Sequence, residues 1–378
     1  MSAQEPAGPD TRASAPREFH VPSLDGIRCV AILLVFLSHV AMAAGRFNVF
    51  PGNLGVTLFF FLSGYLITTL LRIEHERTGR ISVRQFYLRR VLRIFPPMYI
   101  VLALAVGVGL WRNAHDPAPV MDLRYVLGQA LHLTNYQIAL QNRFDLPVAP
   151  DTQIYWSLAV EEHFYLVFPW LFLALMRLRD GRTRARVLLG LCALVLLWRC
   201  WLQFGAQAGS YRIYVATDTR VDSILYGCAL ALAGNPALDP TAIRAAVWKW
   251  VLFPLALLLL LVTLAIQRPW FQETIRYSLQ GLAMVPIYVV AVRWPDWAPM
   301  RPLRWGWVRW GGILSYTIYL AHHVVIGVCR RLVGPSVLPL LALSTAITLA
   351  IALLMYRVVE RPAGRLRRKL SAARRAPA

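Results

Sequence analysis

Ten stretches of this chain are apolar for long enough to cross a lipid bilayer, and they restrict its fold more than any other feature. They fall at about 27–44, 53–71, 94–111, 157–176, 187–204, 220–234, 248–266, 276–292, 310–329 and 336–356. A hydrocarbon core of about 30 Å takes roughly 20 helical residues to cross. Within it the backbone polar groups must be satisfied internally. The expected architecture is therefore an all-α polytopic membrane bundle of about ten helices. Composition agrees, since the 378 residues are 57% hydrophobic and 16% charged and the mean hydropathy is +0.50. The run at 220–234 is short and the weakest of the ten. A further candidate at 122–140 contains Asp122, Arg124, Gln129, His132, Asn135 and Gln137, and is too polar to span.

Loop charge orients the bundle, because Lys and Arg accumulate in cytoplasmic loops. Arg72, Arg77, Arg80, Arg84, Arg89, Arg90 and Arg93 crowd one connection. Arg177, Arg179, Arg182, Arg184 and Arg186 crowd a second, and Arg293, Arg301, Arg304 and Arg309 a third. Arg357, Arg361, Arg365, Arg367, Arg368, Lys369, Arg374 and Arg375 end the chain. All four groups share a side if 122–140 does not cross, which places both termini in the cytoplasm and leaves Arg330 and Arg331 on the opposite side. Anionic lipid beside these loops accounts for most of the net charge of +21. The scatter of the basic residues between spans argues against a nucleic-acid partner. Residues 1–20 read as a disordered cytoplasmic lead without a signal peptide. The membrane domain occupies 21–364 and a basic cytoplasmic tail 365–378, with no soluble domain expected at either end. The five cysteines lack metal-ligand spacing, and there is no internal repeat, Walker loop or dinucleotide fingerprint.

Ionisable groups inside a membrane helix usually face a pathway or a site. Arg28 and His39 stand eleven positions apart in the first run. On a helix they share nearly one face, about 16 Å apart along the axis. That spacing suits a long ligand with an anionic head and a reactive far end. Arg89, Arg90 and Arg93 precede the third run at i, i+3 and i+4 spacings that converge on a helix, and guanidinium forks take phosphate bidentately. The alternative is a cluster touching lipid head groups, against which the place of Arg90 and Arg93 at the start of the third run favours phosphate. Near the opposite face, His39 and the pair Glu161–Glu162 fall at similar depth. A carboxylate beside an imidazole orients it as a general base, and only one of the two adjacent glutamates can face His39. The competing view of His39 is a hydrogen bond to a neighbouring helix. Between these layers, Ser63-Gly64-Tyr65 either lets a thin ligand arm pass or serves plain helix packing. Arg220 and Asp222 either pair with each other, which at i,i+2 needs a departure from regular helix, or each find another partner; His322 and His323 lie in the ninth run, with His323 the bystander.

In this order the residues resemble the acyltransferase 3 family of integral membrane O-acyltransferases. The resemblance is carried by Leu24-Asp25-Gly26-Ile27-Arg28 with His39, by Phe59-Phe60 with Ser63-Gly64-Tyr65, and by Arg89-Arg90-Val91-Leu92-Arg93-Ile94 with Pro96 and Tyr99. It continues through Trp156-Ser157-Leu158 with Glu161-Glu162, Phe164-Tyr165 and Pro169, then Arg220, Asp222 and Gly227. Ser315-Tyr316-Thr317-Ile318-Tyr319-Leu320 with His322, and Glu360-Arg361-Pro362, complete it over about residues 22–364. One departure is His163, where the family commonly has glutamine.

The resemblance implies transfer of an acyl group, often acetyl, from cytoplasmic acyl-coenzyme A to a hydroxyl of a carbohydrate or glycosylated acceptor, without a metal. It implies a multi-pass protein of a bacterial inner membrane. Arg89, Arg90, Arg93 and Arg28 would hold the coenzyme A phosphates, and Ser63, Gly64 and Tyr65 would line the path of the pantetheine arm. His39 would be general base or be acylated itself, with Glu161 or Glu162 orienting it. Trp156, Ser157, Tyr319 and His322 are the acceptor-side candidates, although Tyr- and Trp-rich segments also form membrane-interface belts. A transporter of lipid-linked sugars or polysaccharide would show similar intramembrane charges, but repeated halves are lacking. A scaffold would leave His39 and the glutamates unexplained.

Overall fold

The computed structural model describes residues 19–47, 49–115 and 120–372, so residues 1–18 of the expected lead and the last six of the expected tail lie outside the described residues. Among the described residues every regular element is a helix. Among the described residues nine helices are long and apolar enough to cross a membrane. They are α1 (Pro22–Ala43), α2 (Gly52–Thr78), α3 (Val83–His115), α6 (Trp156–Met176), α7 (Gly181–Gly205), α10 (Ala245–Ala265), α11 (Ile275–Arg293), α12 (Gly306–Val333) and α13 (Val337–Leu370). The shorter helices include α4 (Leu123–Ala130), α5 (Thr134–Gln141), α8 (Ser210–Val215) and α9 (Thr217–Leu232).

The helix ends follow from the sequence. Pro22 sits in the first turn of α1, where its missing N–H costs nothing. The Asp180 carboxylate accepts the Thr183 N–H at 2.8 Å and caps α7. Gly79 closes α2 at φ +68, a left-handed conformation that favours glycine, and its N–H bonds to the His75 carbonyl. α3 begins eleven residues before its apolar run, so Arg89, Arg90 and Arg93 ride on the spanning helix itself. Pro96 and Pro97 take two hydrogen bonds out of it, and the Tyr316 hydroxyl donates to the Ile94 carbonyl beside that gap at 2.8 Å.

The weakest run became α9, whose sixteen residues rise only about 24 Å. Thirteen of those sixteen are buried, wrapped by α2, α7 and α11. A helix shielded from lipid on every side needs neither full length nor an apolar surface. The lipid-facing helices show the converse: the apolar window of α10 has mean hydropathy 2.2 and is 11% buried, whereas that of α11 has 1.4 and is 61% buried. The polar 122–140 stretch does not cross, as expected. It forms α4 and α5, eight residues each, hinged at His132 with φ +57.

The arginine-rich connections gather at one end. The start of α1 packs there, with Gly26 against the Leu303 backbone. Arg72 forks onto Asp239 at 2.8 and 2.5 Å, and Gly181 packs on the Leu232 carbonyl. Arg331, which charge counting leaves at the other end, stands 3.8 Å from Asp151. An acidic partner offsets that misplaced charge.

Candidate active site

α1 runs from the arginine end to the other, carrying Arg28 and His39 about 16 Å apart. At the far end His39 Nδ1 lies 2.8 Å from His322 Nε2, with the rings stacked at 5.0 Å, and His323 approaches edge-on at 4.8 Å. Hydrogen positions follow from the partners. His322 Nδ1 faces the carbonyls of Ile318 at 3.0 Å and Tyr319 at 2.8 Å. Carbonyls only accept, so Nδ1 carries the proton, and in a neutral ring Nε2 is then an acceptor. His39 Nδ1 must donate to it, which leaves the lone pair of His39 Nε2 directed outward without a hydrogen-bond partner among the described residues. His322 is fully buried, whereas His39 keeps accessible surface. The His39 ring is therefore fixed in orientation and tautomer, and open on its basic nitrogen.

This arrangement corrects the expected carboxylate partner. Neither Glu161 nor Glu162 contacts His39. Glu161 Oε2 instead accepts from Ser63 Oγ at 3.0 Å and from the Tyr165 hydroxyl at 2.5 Å. Arg93 and Arg90 stand within electrostatic reach of it. Glu162, about 100° round the helix, faces Tyr99, Tyr316 and Arg90, and makes no hydrogen bond among the described residues. The reason is register. Glu161 lies only one turn from Ser157, which meets the Tyr319 hydroxyl at 2.6 Å, but that turn carries it away from His39 and towards the arginines.

At the arginine end, Arg28 is held by Asp25 at 3.2 Å and lies close to Arg93. Arg90 spreads over the rings of Phe86 at 5.8 Å and Tyr165 at 5.5 Å, while Arg93 is exposed. Arg28, Arg90 and Arg93 thus converge as expected. Arg89 does not join them, because Glu74 takes its guanidinium at 2.8 Å.

The Ser63-Gly64-Tyr65 expectation divides. Ser63 keeps accessible surface and bonds Glu161. Gly64 is packed on α9: a Cβ there would stand 2.0 Å from the Ile224 carbonyl oxygen, and Gly227 makes the reciprocal approach to the Phe61 carbonyl. Tyr65 is fully buried and donates to Asn235 Oδ1 at 2.9 Å. Gly64 and Tyr65 are therefore contacts between helices, not the lining of a ligand path.

The four acceptor-side candidates are likewise internal. Trp156 packs between Phe60 and Tyr214 under Arg220. Ser157 and Tyr319 bond each other, the Tyr319 hydroxyl also donates to the Ile154 carbonyl at 3.0 Å, and His322 sits behind His39. All four are buried, so they support the site without presenting surface to an acceptor. Arg220 and Asp222 find separate partners: Asp222 pairs with Arg199 at 2.7 Å with both side chains fully buried, while Arg220 lies 3.9 Å from the Tyr277 ring centroid. His163 bonds Thr217 at 2.7 Å, away from both glutamates. Tyr165, which the sequence named only as part of the resemblance and gave no role, links Arg90 to Glu161. Its place at i+4 from Glu161 was the available signal.

Partly accessible side chains recur between the two ends. Phe59, Ser63 and Leu66 keep surface along one stripe of α2 while nearly all their neighbours are buried. Glu161 on α6, Tyr316 on α12, and Arg28 and His39 on α1 keep surface too. These residues lie between Arg28, Arg90 and Arg93, of which Arg93 is exposed, and the His39 ring.

Comparisons with known proteins follow the same outline. The profile of a family described as an acyltransferase domain matches residues 21–357. The peptidoglycan O-acetyltransferase OatA of Listeria monocytogenes is 28% identical over 91% of this chain and 56% of its own length. YrhL of Bacillus subtilis, provisionally named a peptidoglycan O-acetyltransferase, is 28% identical over 91% of this chain and 55% of its own. A provisionally named O-acetyltransferase of Staphylococcus aureus is 26% identical over 91% and 57%. The chain thus spans just over half the length of these curated relatives. No solved structure matches it.

Proposed function

The chain belongs to the acyltransferase 3 family, and from that premise we propose that it moves an acyl group, acetyl in the first instance, from cytoplasmic acyl-coenzyme A to a hydroxyl of a carbohydrate or glycosylated acceptor. It is an acyltransferase with several membrane-spanning helices; donor, acceptor, orientation and inner-membrane location form the proposal. The observation that carries it is the His39–His322 pair, which leaves a basic nitrogen open at one end of a route whose other end is lined by three arginines.

Arg28, Arg90 and Arg93 hold the phosphates of the coenzyme, which need cationic partners at a low-dielectric boundary. Clustering of basic loops at this end supports a cytoplasmic assignment, with both termini on that side. The arm runs along the Phe59–Ser63 stripe and brings its thioester towards His39. His39 Nε2 removes the proton of the acceptor hydroxyl as its oxygen forms a bond to the thioester carbonyl carbon. The carbon–sulfur bond then breaks, and the departing thiolate takes the proton back from His39. A single proton passes through one nitrogen and is returned, so the products are the ester and free thiol. His322 keeps the ring in the productive tautomer throughout. Two relatives named for peptidoglycan support a cell-envelope glycan as acceptor.

The test is thiol release from acetyl-coenzyme A by purified protein in liposomes, with and without peptidoglycan fragments or other sugar acceptors. The expected result is thiol release that is stimulated by one acceptor class and lost in His39→Ala. A protein that releases no thiol with any acceptor overturns the reading.

A further inference from the structure

Glu161 is a carboxylate set deep in a membrane helix and bound on one side only. Two hydroxyls, Ser63 and Tyr165, converge on its Oε2, at 3.0 and 2.5 Å. Its Oε1 makes no hydrogen bond among the described residues, and the side chain keeps accessible surface. One oxygen is thus immobilised and the other is presented to the route, with rotation of the carboxylate blocked by the two donors. Arg90 and Arg93 stand near this carboxylate without bonding it, so its second oxygen, fixed and accessible, calls for a ligand that brings N–H donors.

The position of Glu161 selects the donor. It lies between the cationic cluster and His39, one helical turn, about 6 Å, from the Ser157 level towards the arginines. A coenzyme A held by its phosphates at the arginines and by its thioester at His39 must lay its pantetheine arm past this point. The arm is mostly methylene and offers just two N–H groups, both amides, one about 4 Å from the sulfur and one about twice as far, as extended bond lengths give.

We infer that Glu161, anchored by Ser63 and Tyr165, is the receptor for an amide N–H of the donor's pantetheine arm and sets the depth at which the thioester stops. This inference rests on the acyl-coenzyme A reading above and replaces the orienting role that His322 fills. It also gives Ser63 a function: its hydroxyl holds the carboxylate rather than touching the acyl group. Aligned in this way, an acyl thioester of simple alkyl thiols lacks the handle that registers the reactive carbon against His39, and is a poor donor.

The experiment compares acetyl-coenzyme A with two analogues in which one or the other pantetheine amide N–H is replaced by an ester oxygen. On the wild-type protein one replacement should lower kcat/KM by about tenfold or more, since hydrogen bonds to charged acceptors carry that weight. Glu161→Gln, nearly equal in volume, presents its NH2 to the route, because its carbonyl takes the place opposite Ser63 and Tyr165. It should lower kcat/KM for the amide donor to that of the ester and no longer distinguish the two. A wild type that uses all three donors equally overturns the inference while leaving acyl-coenzyme A as donor. A Glu161→Gln protein that still prefers the amide also overturns it. Failure to use any of the three donors overturns the parent reading as well.

Discussion

Removing the acceptor behind His39 probes the site at its most specific contact. In His322→Leu the His39 Nδ1–H loses its partner at 2.8 Å and faces an apolar side chain. Leaving a buried donor unsatisfied costs about 1–3 kcal/mol. The ring escapes that cost by rotating or exchanging tautomers, and either change withdraws the basic lone pair from the route. At 1.36 kcal/mol per decade of rate, the productive arrangement falls about 5- to 150-fold in population, and kcat should fall with it. KM for acetyl-coenzyme A should change less than about threefold, since the phosphate site is about 16 Å away along α1. His322→Gln, whose carbonyl can accept the same N–H, should recover much of the loss. Steady-state thiol release from purified variants in detergent measures both parameters. A His322→Leu protein with wild-type kcat, or a loss confined to KM, refutes the tautomer argument.

Four further outcomes follow from the geometry. Arg93→Ala should raise KM for the acyl donor about tenfold with kcat nearly unchanged; an unaltered KM removes Arg93 from the phosphate site. Gly64→Ala sets a methyl 2.0 Å from the Ile224 carbonyl oxygen, so α2 and α9 must part, at a cost of about 1–3 kcal/mol; thermal unfolding in detergent should show it, and an unshifted midpoint contradicts the contact. Asp222→Ala strands Arg199 in a site where both side chains are fully buried, costing about 3–5 kcal/mol, whereas the double replacement Arg199→Met with Asp222→Leu should regain most of it. Burial, with nearby His163 adding to it, pulls the His132 imidazole down to about 4. The unfolded ring protonates near 6.5. Stability from this group is therefore full above that value and is lost as pH falls from about 6.5 to 4, by at most about 3 kcal/mol. His132→Asn tolerates the same φ of +57 and should flatten that slope; an unchanged slope contradicts it.

The bundle could be read from the sequence because length and hydropathy act locally. Nine of ten apolar runs gave candidate spans, and the polar 122–140 stretch stayed out of the count. The tenth run misled only in its length, since the burial that permits a short helix is supplied by α2, α7 and α11. Within the site, Arg28 and His39 were legible as a pair because one helix carries both. The partner of His39 was not legible: depth along a helix is a local quantity, but which faces meet depends on rotations of α6 and α12 that sequence does not state. Sequence placed Glu161 and Glu162 near the depth of His39, and packing chose His322 instead. The same limit applies to Gly64, where a small residue fits a ligand path and a close helix contact equally well. The Ile224 carbonyl opposite it decides for the contact.

A structure of the protein with a non-hydrolysable acetyl-coenzyme A analogue tests the account most directly. The account predicts the nucleotide phosphates at Arg28, Arg90 and Arg93, and the acyl carbonyl carbon about 5 Å from His39 Nε2, room for the attacking hydroxyl between them. A nucleotide bound at the opposite end, or an acyl group that never reaches the His39 ring, contradicts it.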